Sequence, residues 1–441
     1  MMESASLNRL VPVAVGKRIA SIDVARGVAL LGILFVNIHY MAEPAGIYFE
    51  GVPPANSSAV SRLAWYFYHT FCEGKFYPLF SMLFGAGLAI QFERAKVRGS
   101  GWWLAPIRRL LTLLFIGIAH ALLVWYGDIL VTYAILGFLM IVLVRLPLKG
   151  LAAAGGVLVM LALAMLALGV IATAMGGHFS GRKPETDFVL DSRPPFEQLI
   201  TGLRDQSITG PWDSGWRVLE TQAMRDGPYS QAFGVRAVTW LMTMFFTLFG
   251  GGAIILLMFI VGAILVRTEF FSPQNRVWHR RVAMGGLAIG VPSAIGAALA
   301  APYQTVPWGA AAYGLAQSFG GPILSLGYLG SIVLWANSGK GAGLARVFSN
   351  AGRMGLTSYL LCSILGTALF YHWGLQWFGQ TTVAQRLLLA IGVYATVAAF
   401  ASLWLRSFLF GPMECFWRSM TYLRFPPMVR RESEAATTLA S

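Results

Sequence analysis

Ten long apolar runs constrain this chain more than any other feature of its sequence. Each has about 18 or more residues, the length that an α-helix needs to cross a bilayer. Only 12% of the residues are charged, whereas about a quarter are charged in a typical soluble chain. The sequence therefore predicts an all-α, polytopic membrane protein with about ten transmembrane helices. Their approximate limits are 19–40, 76–94, 106–126, 128–145, 150–175, 236–266, 281–301, 309–337, 350–372 and 384–408.

Basic residues at the ends of these runs indicate the orientation. The even-numbered connections contain groups of Lys and Arg, such as Arg276 and Arg280 in the sixth, and the alternate connections are poor in them. The positive-inside rule then places both termini in the cytoplasm. Orientation also accounts for the formal net charge of +14. No nucleic-acid-binding motif accompanies that charge, so nucleic acid is not an expected partner.

The runs divide the chain into five parts. Residues 1–18 form a cytoplasmic N-terminus, and 19–175 form a five-helix half that contains most of the intramembrane polar residues. Segment 176–235, here the cap segment, has two short helical patterns and is predicted to cover the outer mouth. Residues 236–408 form a second five-helix half, and 409–441 form a cytoplasmic tail.

The first run contains polar residues that are costly in hydrocarbon. Arg26 and Asn37 are eleven residues apart, so they share a helical face at a separation of roughly 16 Å. Asp23 lies one turn before Arg26 on that face. One interpretation is that Asp23 and Arg26 merely neutralise each other while Asn37 bonds a neighbouring helix. The other is that the three residues face an internal cavity.

The third run contains a second polar group. His120 follows Arg109 by eleven residues, and Asp128 lies in the turn that comes after. A short reversal there would bring the carboxylate back to the imidazole, fix one tautomer and make His120 a stronger base. A single hydrogen bond from His120 to the next helix is the alternative.

Further candidates lie at the two ends of the predicted bundle. On the outer side, His39, His69, Glu73, Lys75 and Trp125 are candidates for acceptor binding or catalysis, although Glu73 and Lys75 could simply form an ion pair. On the inner side, Arg353, Arg418 and Trp417 could hold a nucleotide-bearing donor, whereas Glu414 and Arg418 could instead form a structural lock. The three cysteines are too widely spaced for a disulfide framework or a metal site, so no metal is expected.

These residues lie in motifs that resemble the YeiB family of bacterial inner-membrane proteins. The matching stretches include "RIASIDVARGVALLGILFVNI", "KFYPLFSMLFGAGLA", "RRLLTLLFIGIAHALLVWYGDIL" and "GRMGLTSYLL". The chain departs from the family pattern at Ser358 and Cys362, where amide side chains are usual. Through "DxxRG" and Asn37 the family is similar to a wider set of transmembrane acyltransferases, which includes heparan-α-glucosaminide N-acetyltransferase.

That resemblance implies transfer of an acyl group, with acetyl as the expected one, from cytoplasmic acyl-CoA to a hydroxyl or amine acceptor on the other side of the membrane. Asp23, Arg26, Arg109, Arg353 and Arg418 would bind the donor. His120, oriented by Asp128, would deprotonate the acceptor, and Asn37 would stabilise the oxyanion. By analogy with the wider set, His39 and His69 are alternatives to His120.

Two other functions remain open at this point. A proton-coupled transporter of a small amphipathic solute would use the same His and Asp residues, and a structural subunit would need none of them. In each case the expected location is the bacterial inner membrane. The expected partners are lipid, a small-molecule, glycan or lipid acceptor, and, as one option, a second copy of the chain.

Overall fold

The structure, a computed structural model, is built from helices. It describes residues 19–46, 53, 57–97, 103–175, 192–208, 210–211 and 213–429, and over these ranges the only β pairing is an isolated bridge between Phe408 and Val429. The α-helices are α1 (Ala20–Ala42), α2 (Ala59–Phe67), α3 (Phe76–Val97), α4 (Leu104–Leu123), α5 (Leu130–Leu143), α6 (Leu148–Ala174), α7 (Pro195–Arg204), α8 (Ser214–Thr221), α9 (Tyr229–Phe246), α10 (Gly252–Arg267), α11 (Arg276–Ala300), α12 (Pro307–Leu315), α13 (Gly321–Ala336), α14 (Ala342–Arg353), α15 (Gly355–Phe370), α16 (Val383–Ser407) and α17 (Pro412–Tyr422).

Several of these helices are long and apolar enough to cross a membrane. Within the described ranges seven helical runs meet that standard, and an eighth is reached if α14 and α15 count as one bent span. The all-α class and the multi-pass membrane character are therefore confirmed. All ten predicted runs coincide with helix, but α3 is less apolar than the seven and α5 has only 14 residues.

The predicted span 350–372 is not one straight helix. The chain breaks at Met354, and α14 and α15 meet there at 88°. Gly352 and Gly355 flank the break, and glycine is a weak helix former, so this is a low-cost place to interrupt the helix. The prediction of a continuous span is wrong at this point.

Glycines let the central helices touch through their backbones. A Cβ on Gly85 of α3 would lie 2.1 Å from the Phe259 carbonyl oxygen, and one on Gly262 of α10 would lie 1.9 Å from that of Met82. Small residues allow such close packing between membrane helices. Helix α6 lies on the outside of the bundle, since only 6% of the residues in its most apolar stretch are buried inside the protein.

The cap segment contains both of its predicted helices, α7 and α8. Trp216 of α8 is fully buried, and so is Glu220. One Glu220 oxygen accepts hydrogen bonds from the Trp216 indole (3.2 Å) and from the backbone N–H of Ala45 (3.1 Å), just beyond α1. Glu220 thus joins the cap segment to the end of α1. Residues 1–18, 176–191 and 430–441 of the predicted parts lie outside the described residues.

This joint should weaken as the pH rises. Burial raises the pKa of Glu220 from 4.5 to about 7. Because the folded-state pKa is the higher one, the stabilisation is complete below about pH 4.5 and is lost as the pH rises towards about 7 and beyond. The protection of the Ala45 amide against hydrogen exchange, relative to an unfolded chain at the same pH, should fall over this window. Glu220→Gln, which stays neutral, should flatten the dependence, and an unchanged profile in that variant would assign the effect to another group.

Candidate active site

A cavity opens at the end of the bundle that is rich in arginine. Its volume is about 270 Å³, and it is called here the basic cavity. Each of five different helices, α1, α3, α4, α14 and α17, contributes one arginine to the wall. These arginines are Arg26, Arg94, Arg109, Arg353 and Arg418.

The arginines hold a concentrated positive charge. The charges of Arg26 and Arg418 act directly on the guanidinium of Arg109. That group lies 4.0 Å from the centre of the Trp417 ring, and the Trp417 indole donates to the Arg109 carbonyl (2.8 Å). Asp23 also lines the cavity and lies 3.4 Å from Arg26. Asp23 and Glu414 are the acidic residues of the lining, against five arginines, so the formal charge of the lining is positive and the cavity favours an anionic ligand.

The glycine of the "DVARG" motif sets the position of two of these arginines. A Cβ on Gly27 would lie 1.9 Å from the Phe348 carbonyl oxygen, and one on Gly352 would lie 1.9 Å from that of Asp23. Helices α1 and α14 therefore cross in backbone contact. This contact brings Arg353 and Arg26 into the wall of the same cavity.

Glu414 occupies the N-terminus of α15 at the 88° break. It accepts hydrogen bonds from the backbone N–H groups of Leu356 (2.7 Å) and Thr357 (3.1 Å) and from the Thr357 hydroxyl (2.6 Å). Burial raises the pKa of this carboxyl group. Its hydrogen bonds fix α17 to α15 and satisfy donors that the break would leave unpaired. The predicted structural lock at Glu414 is therefore made with α15.

The far end of the basic cavity is apolar and aromatic. Its wall there includes Leu113, Ile129, Leu130, Tyr133 and Tyr359. Ile129 and Leu130 directly follow Asp128 in the chain, and the Tyr359 ring lies 5.2 Å from the His120 ring. The cavity thus leads from the arginines to the immediate surroundings of the His120–Asp128 pair.

His120 and Asp128 are in contact, as the turn after α4 predicts. The imidazole Nδ1 donates to one carboxylate oxygen (2.8 Å), and the other oxygen accepts from the Val131 backbone N–H (2.9 Å). These bonds fix the tautomer and leave Nε2 as the basic atom, which is buried without a hydrogen-bond partner. The His120 side chain is 1% exposed and does not line the cavity itself. Tyr359 stands between them.

The structure does not bring Asn37 into the basic cavity. Asn37 is half-buried and lines a separate void of about 10 Å³ with Tyr359, Cys362 and Ser363. Ile33 and Tyr359 border both spaces. Asn37 is therefore one side chain away from the cavity that Asp23 and Arg26 line.

The remaining outer-side candidates form a second cluster. The His39 ring stacks on Tyr68 at 4.3 Å, and the Tyr68 ring lies 5.0 Å from that of His69. His69 forms an ion pair with Glu73. Although burial acts to raise the pKa of Glu73, His69 and Lys75 hold it below its ordinary value.

Lys75 is fully buried beside this cluster. Its ammonium group donates to the His69 carbonyl (2.8 Å) and to the Gln317 side chain (3.4 Å), and burial lowers its pKa to about 8. The predicted Glu73–Lys75 ion pair is replaced by the Glu73–His69 pair. Neither residue lines the basic cavity. Trp125 is also buried, and its ring packs edge to face against that of His120 at a distance of 6.4 Å between ring centres.

Several residues of the basic cavity were not among the candidates from the sequence, and Arg94 and Tyr359 are the most consequential of them. The spacing of Arg94 and Gln91 along α3 could have indicated that both face inward. In the part of the chain that the structure describes, no group of His, Cys, Asp and Glu could hold a metal ion.

The sequence of this chain is similar to a known protein family and to several bacterial proteins. Residues 265–424 match a family described as "Protein of unknown function (DUF418)". The uncharacterised protein YxaH of Bacillus subtilis is 29% identical over 96% of this chain and 99% of its own length. The uncharacterised protein YeiB of Escherichia coli is 28% identical over 95% of this chain and 100% of its own length. These matches support the YeiB family.

Similarity to these YeiB-family relatives extends along nearly the whole chain, so both halves and the cap segment fall within it. An uncharacterised 39.9 kDa protein of Bacillus acidopullulyticus is 26% identical over 96% of this chain. No solved structure matches. The names of the relatives carry no activity, so any function has to be argued from the site.

Proposed function

We propose that the protein is a transmembrane acyltransferase that uses acyl-CoA, with acetyl-CoA as the first donor to test. The proposal includes ten membrane crossings, both termini in the cytoplasm and a location in the bacterial inner membrane. With that orientation the arginines of the basic cavity face the cytoplasm, where acyl-CoA is found.

The continuity of the basic cavity is the observation that carries this proposal. Five arginines line one end, and the other end reaches Tyr359 beside the His120–Asp128 pair. The arginines suit the phosphates of coenzyme A, which accept charge-assisted hydrogen bonds. The apolar wall formed by Leu113, Leu130 and their neighbours suits the uncharged pantetheine arm. A site for a small anion alone would not need such a deep apolar extension.

The proposed reaction transfers the acyl group from the thioester sulfur to the acceptor. The acceptor oxygen or nitrogen attacks the thioester carbonyl carbon, the new bond to carbon forms, and the carbon–sulfur bond breaks. Nε2 of His120 takes the acceptor proton and returns it to the coenzyme A sulfur. Asp128 holds the tautomer and stabilises the imidazolium. Tyr359 has to turn aside for this, and the same movement would open the cavity towards Asn37, the proposed oxyanion donor.

The direct test is acyl transfer by the purified protein. Protein in detergent or vesicles should bind acetyl-CoA saturably, and a mixture with candidate alcohols and amines should yield free coenzyme A and an acylated product by mass spectrometry. Binding that ATP displaces fully would indicate a nucleotide site instead. Absence of any coenzyme A binding would overturn the proposal.

Proton-coupled transport is the second candidate, and the outer cluster favours it. His39, His69 and Lys75 are buried ionisable groups and the half-buried Glu73 lies beside them, a pattern found along proton pathways in membrane proteins. Solute uptake driven by a pH gradient in vesicles, with no affinity for coenzyme A, would support this function over acyl transfer.

A further inference from the structure

A second cavity lies apart from the basic cavity. It has a volume of about 360 Å³ and is bounded by α6, the start of α10, and α12 with the segment that follows it. It is called here the lateral cavity. Sites for small molecules have volumes of roughly 300–1,000 Å³, so it is large enough to hold one. None of its lining residues belongs to the basic cavity.

The lining of the lateral cavity is uncharged. Gln304, Thr305 and Thr173 lie at one end, where α6 finishes and the α11–α12 connection passes, and Tyr313 and Ser318 are the other polar residues of the lining. Its apolar residues Ala162 and Ile254 lie at the other end. A neutral ligand with a polar head and an apolar body matches this distribution, and an ion such as coenzyme A does not.

The dimensions match one leaflet of a membrane. Ala162 and Thr173 are eleven residues apart on α6, which corresponds to roughly 16 Å along the helix. Half of a typical hydrocarbon core is about 15 Å. The same helix is the one that faces outward, and its lining residue Met165 is 40% exposed. The cavity therefore extends from the membrane surface to the middle along a lipid-facing wall.

Tyr313 provides the lateral cavity with a hydrogen-bonding group whose position is fixed by its neighbours. Its phenol oxygen accepts from the Gln317 side-chain amide (3.2 Å), and the carbonyl oxygen of that amide accepts from Lys75 (3.4 Å). Lys75 thereby determines which way the Gln317 amide points. The phenol proton of Tyr313 remains able to be donated to an oxygen in the cavity.

Two local departures from α-helix border the same space. The segments Thr247–Gly251 and Ala316–Gly320 are π-helical, and they contribute Gly250 and Ser318 to the wall. Such π segments are frequent at functional sites. A Cβ at Gly250 or at Gly169 would meet nothing within 4 Å, so both glycines leave room that a side chain would fill.

We propose that the lateral cavity binds a neutral lipid alcohol from the adjacent leaflet, with its chain between α6 and α10 and its hydroxyl oxygen on Tyr313. The uncharged lining excludes an anionic headgroup, and the leaflet-length apolar wall accommodates a hydrocarbon chain. This site does not depend on what the basic cavity binds.

Photolabelling can test the proposal. The probe is hexadecanol with a diazirine near the chain end, presented to the full-length protein in vesicles of phosphatidylethanolamine. Labelled peptides should come from α6 and α10. Gly169→Leu and Gly250→Leu each fill the space and should reduce labelling at least fivefold, roughly 1 kcal/mol of binding. Gly156→Leu lies on the same α6, away from the cavity and with nothing within 4 Å, and should label like the wild type.

The role of Tyr313 has its own comparison. Tyr313→Phe should label with the alcohol no better than the wild type labels with the same diazirine-bearing chain without its hydroxyl group, because neither pair can make the proposed donation. Equal labelling of the wild type by the alcohol and by the chain without a hydroxyl group, or full labelling in both glycine variants, would overturn the proposal. Displacement of the probe by phosphatidylglycerol but not by unlabelled hexadecanol would identify an anionic lipid instead and would also overturn it.

Discussion

His120→Gln should lower the rate of acyl transfer by roughly 10²- to 10⁴-fold, the usual contribution of a positioned general base. Glutamine can still donate to Asp128 from its amide nitrogen, so the local fold should persist. What it lacks is a basic atom in place of Nε2. The measurement is the turnover of acetyl-CoA with a fixed acceptor, and binding of acetyl-CoA should change little because His120 does not line the basic cavity.

His39→Gln and His69→Gln provide matched controls, since both histidines are buried and were alternatives for the same role. If His120 is the base, these variants should retain most of the turnover. Full activity in His120→Gln together with loss in either control would transfer the role to the outer cluster. Loss in all three variants with retained binding would indicate that protons travel through both groups.

Arg26→Gln and Arg418→Gln should each weaken acetyl-CoA binding roughly 10- to 150-fold. A hydrogen bond to a charged group contributes about 1.5–3 kcal/mol, and both arginines line the basic cavity. The measurement is the dissociation constant by calorimetry at one fixed salt concentration. Acetyl-pantetheine, which lacks the nucleotide phosphates, should bind these variants as it binds the wild type.

Arg406→Gln is the control for net charge. Arg406 is exposed in the last turn of α16 and does not line the basic cavity, so its loss should leave the dissociation constant within twofold, less than about 0.5 kcal/mol. Equal weakening for acetyl-CoA and acetyl-pantetheine would mean that Arg26 and Arg418 act on the fold. Unchanged binding in both variants would remove them from the donor site.

The local features that the sequence predicts well are those with a strong periodic signal. Arg26 and Arg109 could be placed at one end of the bundle because each lies near the start of an apolar run, and the shared face of Arg109 and His120, eleven residues apart, is a property of any α-helix. The contact of His120 with Asp128 follows from the short connection between α4 and α5. These inferences need no knowledge of how distant helices pack.

The features that were missed depend on packing between distant parts of the chain. Gly352 and Gly355 make a break at Met354 inexpensive but do not require one, and Glu414, which satisfies the free N–H groups at the break, is 58 residues from Leu356. The exclusion of Asn37 from the basic cavity likewise depends on Tyr359 of a remote helix. A helical face indicates which residues point the same way, but a neighbouring side chain decides which of them reach the same space.

The crossing of α1 and α14 limits how the entrance of the basic cavity can change. Gly27 and Gly352 are in direct contact with the opposite backbones. Because no side chains separate α1 from α14 there, the two helices cannot slide or move closer, and that part of the rim is rigid. Under the proposed function, admission of a bulky nucleotide would involve displacement of α17, whose attachments through Glu414 and Trp417 are hydrogen bonds that can break and re-form.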